Sequence, residues 1–237
     1  MTDYLAAKLG SFSHFSDADA RIMRDAGSGR IRKLRAGETL IHEGQRPECV
    51  YLVTDGWACR CNVGADGKRV ITGVFMPGDL CDVGVYLLQR MDHTVAALSA
   101  VMLVEIARLD CDRMVASLGI RTALMRDALV NASINRQWML RVAGREALSR
   151  LAHLLCELCV RQRGGVPMGS TSCALPMRQA ELADALGMTA VHVNRMLQEL
   201  RQQGLIELRQ KTLSIGDMPA LSNLAGFNAD YLHFAAR

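Results

Sequence analysis

Residues Gln179 to Gln198 read QAELADALGMTAVHVNRMLQ, and this stretch decides the fold because a mechanism can be given for almost every position. Gly187 lies eight residues after Gln179, where a first short helix must turn, and a glycine takes positive φ there at little cost. Thr189 follows, and its hydroxyl is suited to cap the amino end of a second helix. The stretch therefore predicts two short helices joined by a tight turn.

The two predicted helices have an apolar face and a free face. Leucines and other apolar residues recur at helical spacing, and the small Ala183 falls where the helices approach, so we expect these residues to form a shared core: Leu182, Ala183, Leu186, Val193, Met196, Leu197 and Leu200. Val191, Asn194, Arg195 and Gln198 share the opposite face. This pattern predicts a recognition helix of about residues 190–202 that reads the DNA major groove. The predicted DNA contacts near it also include Arg178, Gln179, Thr189 and His192.

A β-hairpin is predicted directly after the second helix. Leu205–Leu208 and Thr212–Ile215 are β-prone runs, and the polar residues Arg209, Gln210 and Lys211 join them. Helix-turn-helix outlines also occur in ordinary helical proteins, but an outline followed by such a wing is much more specific. We expect Arg209 and Lys211 to contact phosphates beside the groove, which positions the protein without reading sequence.

Composition limits the class of protein. Half of the 237 residues are hydrophobic and 22% are charged, which predicts a globular chain with room for two modest domains. The net charge is +4, and residues 145–237 hold ten Lys and Arg against eight Asp and Glu. Basicity is thus not concentrated near the predicted helix-turn-helix. The DNA-binding hypothesis rests on pattern and geometry, with little help from charge.

The sequence predicts the location of the protein through two features, membrane spans and export signals. No apolar run approaches the roughly 18 residues that a membrane span needs, and the start, Met1 to Tyr4, resembles no export signal. We therefore expect a cytoplasmic protein. Its eight cysteines are then better interpreted as reduced thiols, most of them in cores, than as a disulfide framework.

A β-rich region precedes the helices, from about Ile31 to Leu109. Glycine turns separate short β-prone runs, which predicts an antiparallel jelly roll with these candidate strands: Val50–Val53, Trp57–Val63, Arg69–Phe75 and Val95–Ile106. Before this region, Ser16 is placed to cap a helix that ends near Ala26.

Helical periodicity returns after Asp110, with a long helix predicted over residues 120–142. One small barrel cannot bury so long a helix, so we expect its apolar stripe to pack on the same helix of a second subunit in a parallel dimer, and also partly on its own barrel. Gly144 is expected to interrupt the helix, with a hinge at Val142–Arg145 and a further helix from Arg145 to Val160. The predicted domains are 1–111 (sensor barrel), 112–144 (dimerisation helix and hinge) and 145–237 (winged helix-turn-helix). The fold class is α+β.

The order of these parts resembles the CRP/FNR superfamily of bacterial transcription regulators over nearly the whole chain. The most specific segments are residues 37–79, 149–158 and 176–208. The resemblance implies a homodimeric, allosteric activator or repressor that binds a palindromic operator with half-sites about one helical turn apart. It also implies RNA polymerase as a partner.

The recognition helix departs from the pattern of many family members, which present a glutamate, a serine and an arginine. The matching residues here are Val191, Asn194 and Arg195, so only the arginine is kept. Arg195 suits guanine, Asn194 suits adenine or a phosphate, and Val191 suits the methyl group of thymine. We therefore expect a half-site that differs from the usual one.

The sensor departs more strongly. Cyclic-nucleotide-binding members use a glycine-glutamate pair for the ribose, and Asp82 and Val83 stand in that place. The arginine that holds the cyclic phosphate becomes His93, followed by Thr94. Losing the guanidinium and gaining a carboxylate argues against a cyclic nucleotide, although the nearby Arg90 leaves that alternative open. The predicted effector pocket comprises Asp79, Cys81, Asp82, Val83, Arg90, His93 and Thr94.

Other cofactors have weaker signals. Family members that hold an iron-sulfur cluster group their cysteines near the N-terminus, and residues 1–48 contain none. Cys59/Cys61 and Cys156/Cys159 are interpreted first as core pairs, with metal or redox chemistry as the alternative. Haem ligation by His93 or Cys81 stays open, since both are axial ligand types, but no second ligand is located. The effector is therefore unknown.

Two other function classes and one variant of the DNA-binding regulator fit parts of this sequence. A metal-dependent jelly-roll enzyme needs clustered ligands, and the barrel offers only His42 and His93, well apart, so no catalysis is expected. A nucleotide-binding module acting on protein partners would leave Val191, Asn194 and Arg195 without a reason to share a face. A constitutive regulator without an effector stays open.

Overall fold

The computed structural model describes residues 4–10, 14–81, 83, 87–88, 90–164 and 171–234. The chain divides into two compact units, one ending at Asn131 and one running from Ala132 to Phe234. The first contains antiparallel sheets and the second a winged helix-turn-helix, with a long helix between these parts of the sequence. The predicted α+β class is confirmed.

The first unit combines eight strands with helices on either side of them in sequence. Its elements are α1 (Tyr4–Gly10), α2 (Asp17–Ala26), β1 (Arg30–Leu34), β2 (Thr39–Ile41), β3 (Cys49–Asp55), β4 (Ala58–Val63), β5 (Arg69–Phe75), β6 (Leu80–Cys81), β7 (Thr94–Ala97), β8 (Val101–Ala107), α3 (Arg108–Ala116) and the first part of α4 (Leu118–Gly144). The strands form two four-stranded sheets, ordered β1-β8-β3-β6 and β2-β7-β4-β5, and the neighbouring strands pair antiparallel. This is the predicted jelly-roll sandwich.

Strands β3 and β8 of the sheet β1-β8-β3-β6 are buried on both faces, which explains their nearly continuous apolar runs, whereas β1 is mostly exposed. Tyr51 and Val53 of β3 join a core that includes residues of the second sheet, such as Phe75. Val50 and Leu52, which alternate with them, join a separate core formed with the helices. Because successive side chains of a strand point to opposite faces, one apolar run supplies both cores.

The long β-prone run Val95–Ile106 is divided in the structure. It forms β7 and β8, separated at residues 98–100, where the chain passes close to Gly56. Gly56 has φ +72°, and a Cβ there would lie 1.9 Å from the Ala100 carbonyl oxygen. Only glycine fits this crossing. The capped helix before the sheets is confirmed, since the Ser16 side chain accepts from the Asp19 amide.

The long helix is confirmed and is longer than predicted. α4 continues through Gly144, and the helical run breaks at Arg145 and Glu146 before α5 (Ala147–Gln162) begins. The predicted interruption at Gly144 is therefore placed slightly too early. A single glycine is tolerated in a helix at about 1 kcal/mol relative to alanine, so it does not force an end.

The second unit completes the winged helix with short elements: β9 (Thr171–Ala174), α6 (Gln179–Leu186), α7 (Ala190–Gln202), β10 (Ile206–Arg209), β11 (Thr212–Ile215), α8 (Met218–Ala225) and a 3₁₀ helix (Ala229–Leu232). The predicted hairpin is confirmed as β10 and β11. It belongs to a three-stranded sheet ordered β10-β11-β9, and the edge strand β9 was not predicted.

A buried polar cluster ties the last turns of α4 to the rest of the second unit. The Glu157 carboxylate of α5 accepts from the Trp138 Nε1 and the Tyr231 hydroxyl, each at 2.8 Å. Arg141 lies 3.7 Å from the same carboxylate and 4.4 Å from the centre of the Trp138 ring. Arg141 and Glu157 are both 0% exposed. A buried charge without its partner is strongly unfavourable, so the pair of Arg141 and Glu157 holds the end of α4 against α5.

Candidate nucleic-acid interface

The turn between α6 and α7 is built as the sequence predicts. Gly187 adopts the left-handed conformation, with φ 62° and ψ 41°, and its amide donates to the Ala183 carbonyl. Thr189 caps α7, because its hydroxyl accepts from the His192 amide at 3.2 Å. Both local predictions are confirmed. They set the direction in which α7 leaves the turn.

The predicted core face of the helix pair is buried throughout. Its seven members are each no more than 7% exposed: Leu182, Ala183, Leu186, Val193, Met196, Leu197 and Leu200. The 100° step between helical residues then places the remaining face of α7 outward. The packing of α6 and α7 therefore fixes which side chains are presented to solvent.

The outer face of α7 carries the residues predicted to read bases. Val191 is 81% exposed, so its apolar side chain is accessible to a partner. Arg195 and Gln198 are exposed, while Asn194 and His192 are half-buried. The structure thus brings Val191, Asn194, Arg195 and Gln198 together on one accessible surface, which we call the reading face.

The beginning of α6 presents a more constrained cation. Arg178 donates from Nε and Nη2 to Glu181 Oε1, at 3.0 and 2.8 Å, and its backbone amide donates to Oε2 at 2.6 Å. Glu181 is 2% exposed, whereas the Arg178 side chain is 71% exposed. Gln179 is exposed beside it. The guanidinium is therefore held in one place while one side stays accessible.

The tip of the wing is a two-residue turn with unusual backbone angles. Gln210 and Lys211 have φ of 47° and 63°, although neither is a glycine. Two successive positive values are typical of the type I′ turn that suits a β-hairpin. Arg209, at the end of β10, is exposed and pairs with Glu207 at 2.6 Å. The wing thus displays Arg209 and Lys211 at its tip.

The predicted effector residues divide into two groups in the barrel. Asp79 is engaged by Lys8, whose Nζ lies 2.6 Å from Oδ1, and its Oδ2 accepts from the Met76 amide. Cys81 is 1% exposed and belongs to the core between the sheets. Val83 packs on the helical core, and Asp82 lies outside the described residues. Asp79 and Cys81 are thus occupied by structural contacts.

The second group meets the segment before the third strand. Arg90 is exposed and donates to the Gly44 carbonyl at 3.2 Å, and the Thr94 hydroxyl accepts from the Glu43 amide at 3.2 Å. His93 is 7% exposed, and its Nδ1 lies 2.7 Å from the Asp92 carboxylate. This hydrogen bond lowers the pKa of Asp92 below its ordinary value. Arg90 and Thr94 are therefore brought together through Glu43 and Gly44.

A groove of about 500 Å³ lies at the start of β3 and α3 and contains none of the predicted effector residues. Its lining is Arg46, Pro47, Glu48, Cys49, Val50, Arg108 and Cys111. The sequence offered no signal for it, because its two sides are about 60 residues apart in the chain.

Seven of the eight cysteines are buried and Cys49 is half-buried, so most are core residues as expected, Cys156 and Cys159 included. Cys59 and Cys61 are 0% and 3% exposed. Within the part of the chain that the structure describes, no three His, Cys, Asp or Glu residues are grouped to hold a metal. Cys159 hydrogen-bonds with Cys173 of β9, whereas Cys156 contacts Ser222. Helical periodicity draws attention to Cys156 and Cys159, which are one turn apart. The contact between Cys159 and Cys173 was not predicted, because a separation of fourteen residues carries no helical signal.

Among the described residues, no helix combines the length and apolar character that crossing a membrane requires.

Comparisons with known proteins agree with this geometry. A Crp-like helix-turn-helix domain model matches residues 149–224, and a cyclic nucleotide-binding domain model matches residues 31–117. The transcriptional activator protein FnrA of Stutzerimonas stutzeri is 30% identical over 200 residues, which cover 83% of this chain and 81% of FnrA. The nitrogen fixation regulation protein FixK of Rhizobium meliloti is 25% identical over 200 residues, covering 84% and 89%.

A solved structure shows the same architecture. FixK2 from Bradyrhizobium japonicum superposes with a TM-score of 0.73 at 23% identity, covering 84% of this chain and 98% of FixK2. The sheets, the long helix and the winged helix-turn-helix therefore define a DNA-binding transcription regulator with a cyclic nucleotide-binding-like domain. The chain belongs to the CRP/FNR superfamily of bacterial transcription regulators.

Proposed function

We propose that this regulator acts as a homodimer whose α7 helices read the two half-sites of a palindromic operator. The observation that carries the proposal is the reading face, where Val191 is 81% exposed beside Arg195 and Gln198 while the inner face of the same helix is buried. An exposed apolar residue among hydrogen-bonding side chains suits the major groove, which offers both methyl groups and polar base edges.

Each residue of the reading face has a proposed partner. Arg195 donates two hydrogen bonds to guanine, and Asn194 pairs with adenine or holds a phosphate. Val191 contacts the methyl group of thymine, and Gln198 reaches a base edge farther along the helix. His192, Thr189 and Gln179 lie at the border of this contact, toward the backbone of the DNA.

Three cations are proposed to hold phosphates. Arg209 and Lys211 lie at the tip of the wing, and Arg178 is kept in place by the buried Glu181. Such contacts add affinity that falls with salt, and they do not select bases. Glu207 competes for Arg209 in the free protein, but this pair is exposed and therefore weak.

The proposed dimer forms through α4, with a second copy of the chain as the partner. The helix carries large apolar side chains that are between 43% and 72% exposed: Leu118, Met125, Leu129, Met139, Leu140 and Val142. Leaving such a row in water is unfavourable by about 25 cal/mol for each Å² of apolar surface. Packing against the same row of a parallel copy removes the penalty and places two reading faces with twofold symmetry.

We further propose that an effector at the barrel controls DNA binding, with the predicted pocket residues as candidates. Arg90 is the exposed cation among them, and because a guanidinium has five N–H donors, it can meet an anionic group while Nη1 donates to the Gly44 carbonyl. Asp79 and Cys81 contribute to this site only if their present contacts change. An effector that binds one arrangement more tightly shifts the population toward it.

The experiment that tests the reading face uses an operator selected from random DNA. Arg195→Ala is expected to cost about 1–3 kcal/mol in binding and to relax base preference at one position in each half-site. Arg201→Ala is the matched control, because it removes the same charge from the last turn of α7. The control is expected to keep the base preference. Unchanged affinity and preference in Arg195→Ala would refute the assignment.

A further inference from the structure

Two thiols from different elements meet inside the winged-helix unit. Cys159 lies on α5 and Cys173 on β9, and their side chains form a hydrogen bond. Their residues are 0% and 7% exposed. Independent contacts show the same packing, because Arg163, one helical turn after Cys159, donates to the hydroxyl of Thr171, which lies on the same buried face of β9 as Cys173. A disulfide at this contact requires a sulfur-sulfur distance of about 2.05 Å and Cα atoms about 4.4–6.8 Å apart.

The surroundings of Cys159 favour a nucleophilic sulfur. Thr171 hydrogen-bonds to it, and the Arg163 guanidinium donates to the Thr171 hydroxyl. The hydrogen bond from Cys173 lowers the pKa of Cys159, with further help from Thr171 and Arg163 and against the effect of burial. The neighbouring Cys156 is different, since burial raises the pKa of its thiol to about 12. The hydrogen bond from Ser222 to Cys156 does not offset this burial, whereas the polar partners of Cys159 outweigh it.

We propose that Cys159 and Cys173 are a redox-modification site, at which a hydroperoxide converts the dithiol to a disulfide. The Cys159 thiolate attacks the peroxide oxygen, so that an S–O bond forms, the O–O bond breaks, and hydroxide leaves and takes up the proton lost by the thiol. Cys173 then attacks the resulting sulfenic acid, which forms the S–S bond and releases water. With hydrogen peroxide, two thiols and one peroxide give one disulfide and two waters, and the sulfurs lose the two electrons that the peroxide gains.

The position of Cys173 connects this site to the wing. β9 is an edge strand, and Cys173 is opposite Leu213 of β11 in the ladder. Because both sulfurs are buried, an oxidant reaches them only when the structure opens locally, and the four-residue strand β9 pairs, among the described residues, with β11 alone. Gln162 also holds β9, since its side-chain amide bonds both the carbonyl and the amide of Ala174.

Disulfide formation draws β9 toward α5 and thereby shifts its neighbour β11, whose hairpin carries Arg209 and Lys211. We expect oxidation to weaken operator binding by about tenfold, as loss of one or two phosphate contacts does. This consequence rests on the proposed DNA binding, whereas formation of the disulfide does not.

The test measures both parts separately on the full chain. Reduced protein is treated with one equivalent of hydrogen peroxide, peptide mass spectrometry maps the disulfides, and fluorescence anisotropy measures affinity for the selected operator. We expect a Cys159–Cys173 disulfide that dithiothreitol reverses. Cys159→Ser and Cys173→Ser are expected to abolish the disulfide and the loss of affinity, while Cys156→Ser, the matched control, retains both.

The outcomes distinguish failure of the redox site from failure of the proposed function. If other cysteines of the wild-type protein oxidise while Cys159 and Cys173 remain thiols, the proposed redox site is wrong. This outcome needs no variant. If the protein binds the operator and the disulfide forms without a change in affinity, the proposed effect of the disulfide on the wing is wrong. Reduced protein that binds no selected operator contradicts the proposed function and leaves the mass-spectrometric result to decide the redox site.

Discussion

Replacing Glu157 by alanine is expected to destabilise the second unit severely. The change removes the carboxylate that lies 3.7 Å from Arg141 Nη1 and 3.8 Å from Arg161 Nη1. It also removes the acceptor of the Trp138 and Tyr231 hydrogen bonds, each 2.8 Å long. A buried cation is then left without its partner, and removal of one member of such a pair typically costs about 3–5 kcal/mol.

The size of the effect follows from burial more than from attraction. Arg141 is 0% exposed, and desolvation lowers the pKa of its guanidinium against the opposing charge of Glu157. The attraction between two buried charges offsets the free energy of their desolvation only while they remain together. The double change Arg141→Met with Glu157→Leu removes both charges at once, so we expect it to recover the part of the loss that comes from the unpaired cation, although Trp138 and Tyr231 still lack their acceptor.

Urea unfolding provides the assay, with circular dichroism for helix content and fluorescence in a Trp57→Phe background to follow Trp138. Glu207→Gln is the control, because it disrupts an exposed pair with Arg209 and is expected to cost less than about 1 kcal/mol. A loss below about 1 kcal/mol for Glu157→Ala would refute the reasoning. So would a double variant that is no more stable than the single one.

Three further predictions concern pH, the dimer and the cap of α7. Burial lowers the pKa of His153 to about 3, with smaller effects from Arg141 and Arg145, so the unfolded chain binds the additional proton below pH 6.5. His153 should therefore cost stability as the pH falls from 6.5 toward 3, by up to about 1.4 kcal/mol per pH unit, and His153→Phe should remove this part of the slope in urea titrations at several pH values. Leu129→Glu changes a side chain of α4 that is 68% exposed, and it should give folded monomers in light scattering. Val63→Glu, at a barrel side chain that is 62% exposed, is the control and should leave the dimer intact. Dimers in both variants would contradict the α4 interface. Thr189→Ala should lower stability by about 1 kcal/mol through loss of the bond to the His192 amide, and thermal unfolding that shows no change would exclude a capping role.

The helix-turn-helix was predictable because its determinants are close together in sequence. Gly187, Thr189 and the apolar residues of α6 and α7 act over one or two helical turns, so their roles can be assigned from spacing and residue type. The wing followed for the same reason. The conformation of its turn was harder to predict, because Gln210 and Lys211 adopt positive φ where a glycine is usually found.

The barrel was predicted as a class of fold but not in its internal details. Turn glycines and β-prone runs indicated the strands, yet the run from Val95 to Ile106 gave no sign that it divides. That division depends on the passage of Ala100 beside Gly56, a contact between residues far apart in sequence. Likewise, Asp79 was predicted to belong to the effector pocket, and only the fold shows that Lys8 engages it.

The sequence alone determined the order of elements, the capped and amphipathic helices, the reading face and the family. These depend on local spacing and on motifs that any member of the fold must carry. Tertiary structure alone decided that Arg141 and Tyr231 converge on Glu157 and that Cys159 meets Cys173 instead of Cys156. The physical reason is that a buried charge or thiol takes its properties from whatever the fold packs against it, and these neighbours lie 14 to 74 residues away in the chain.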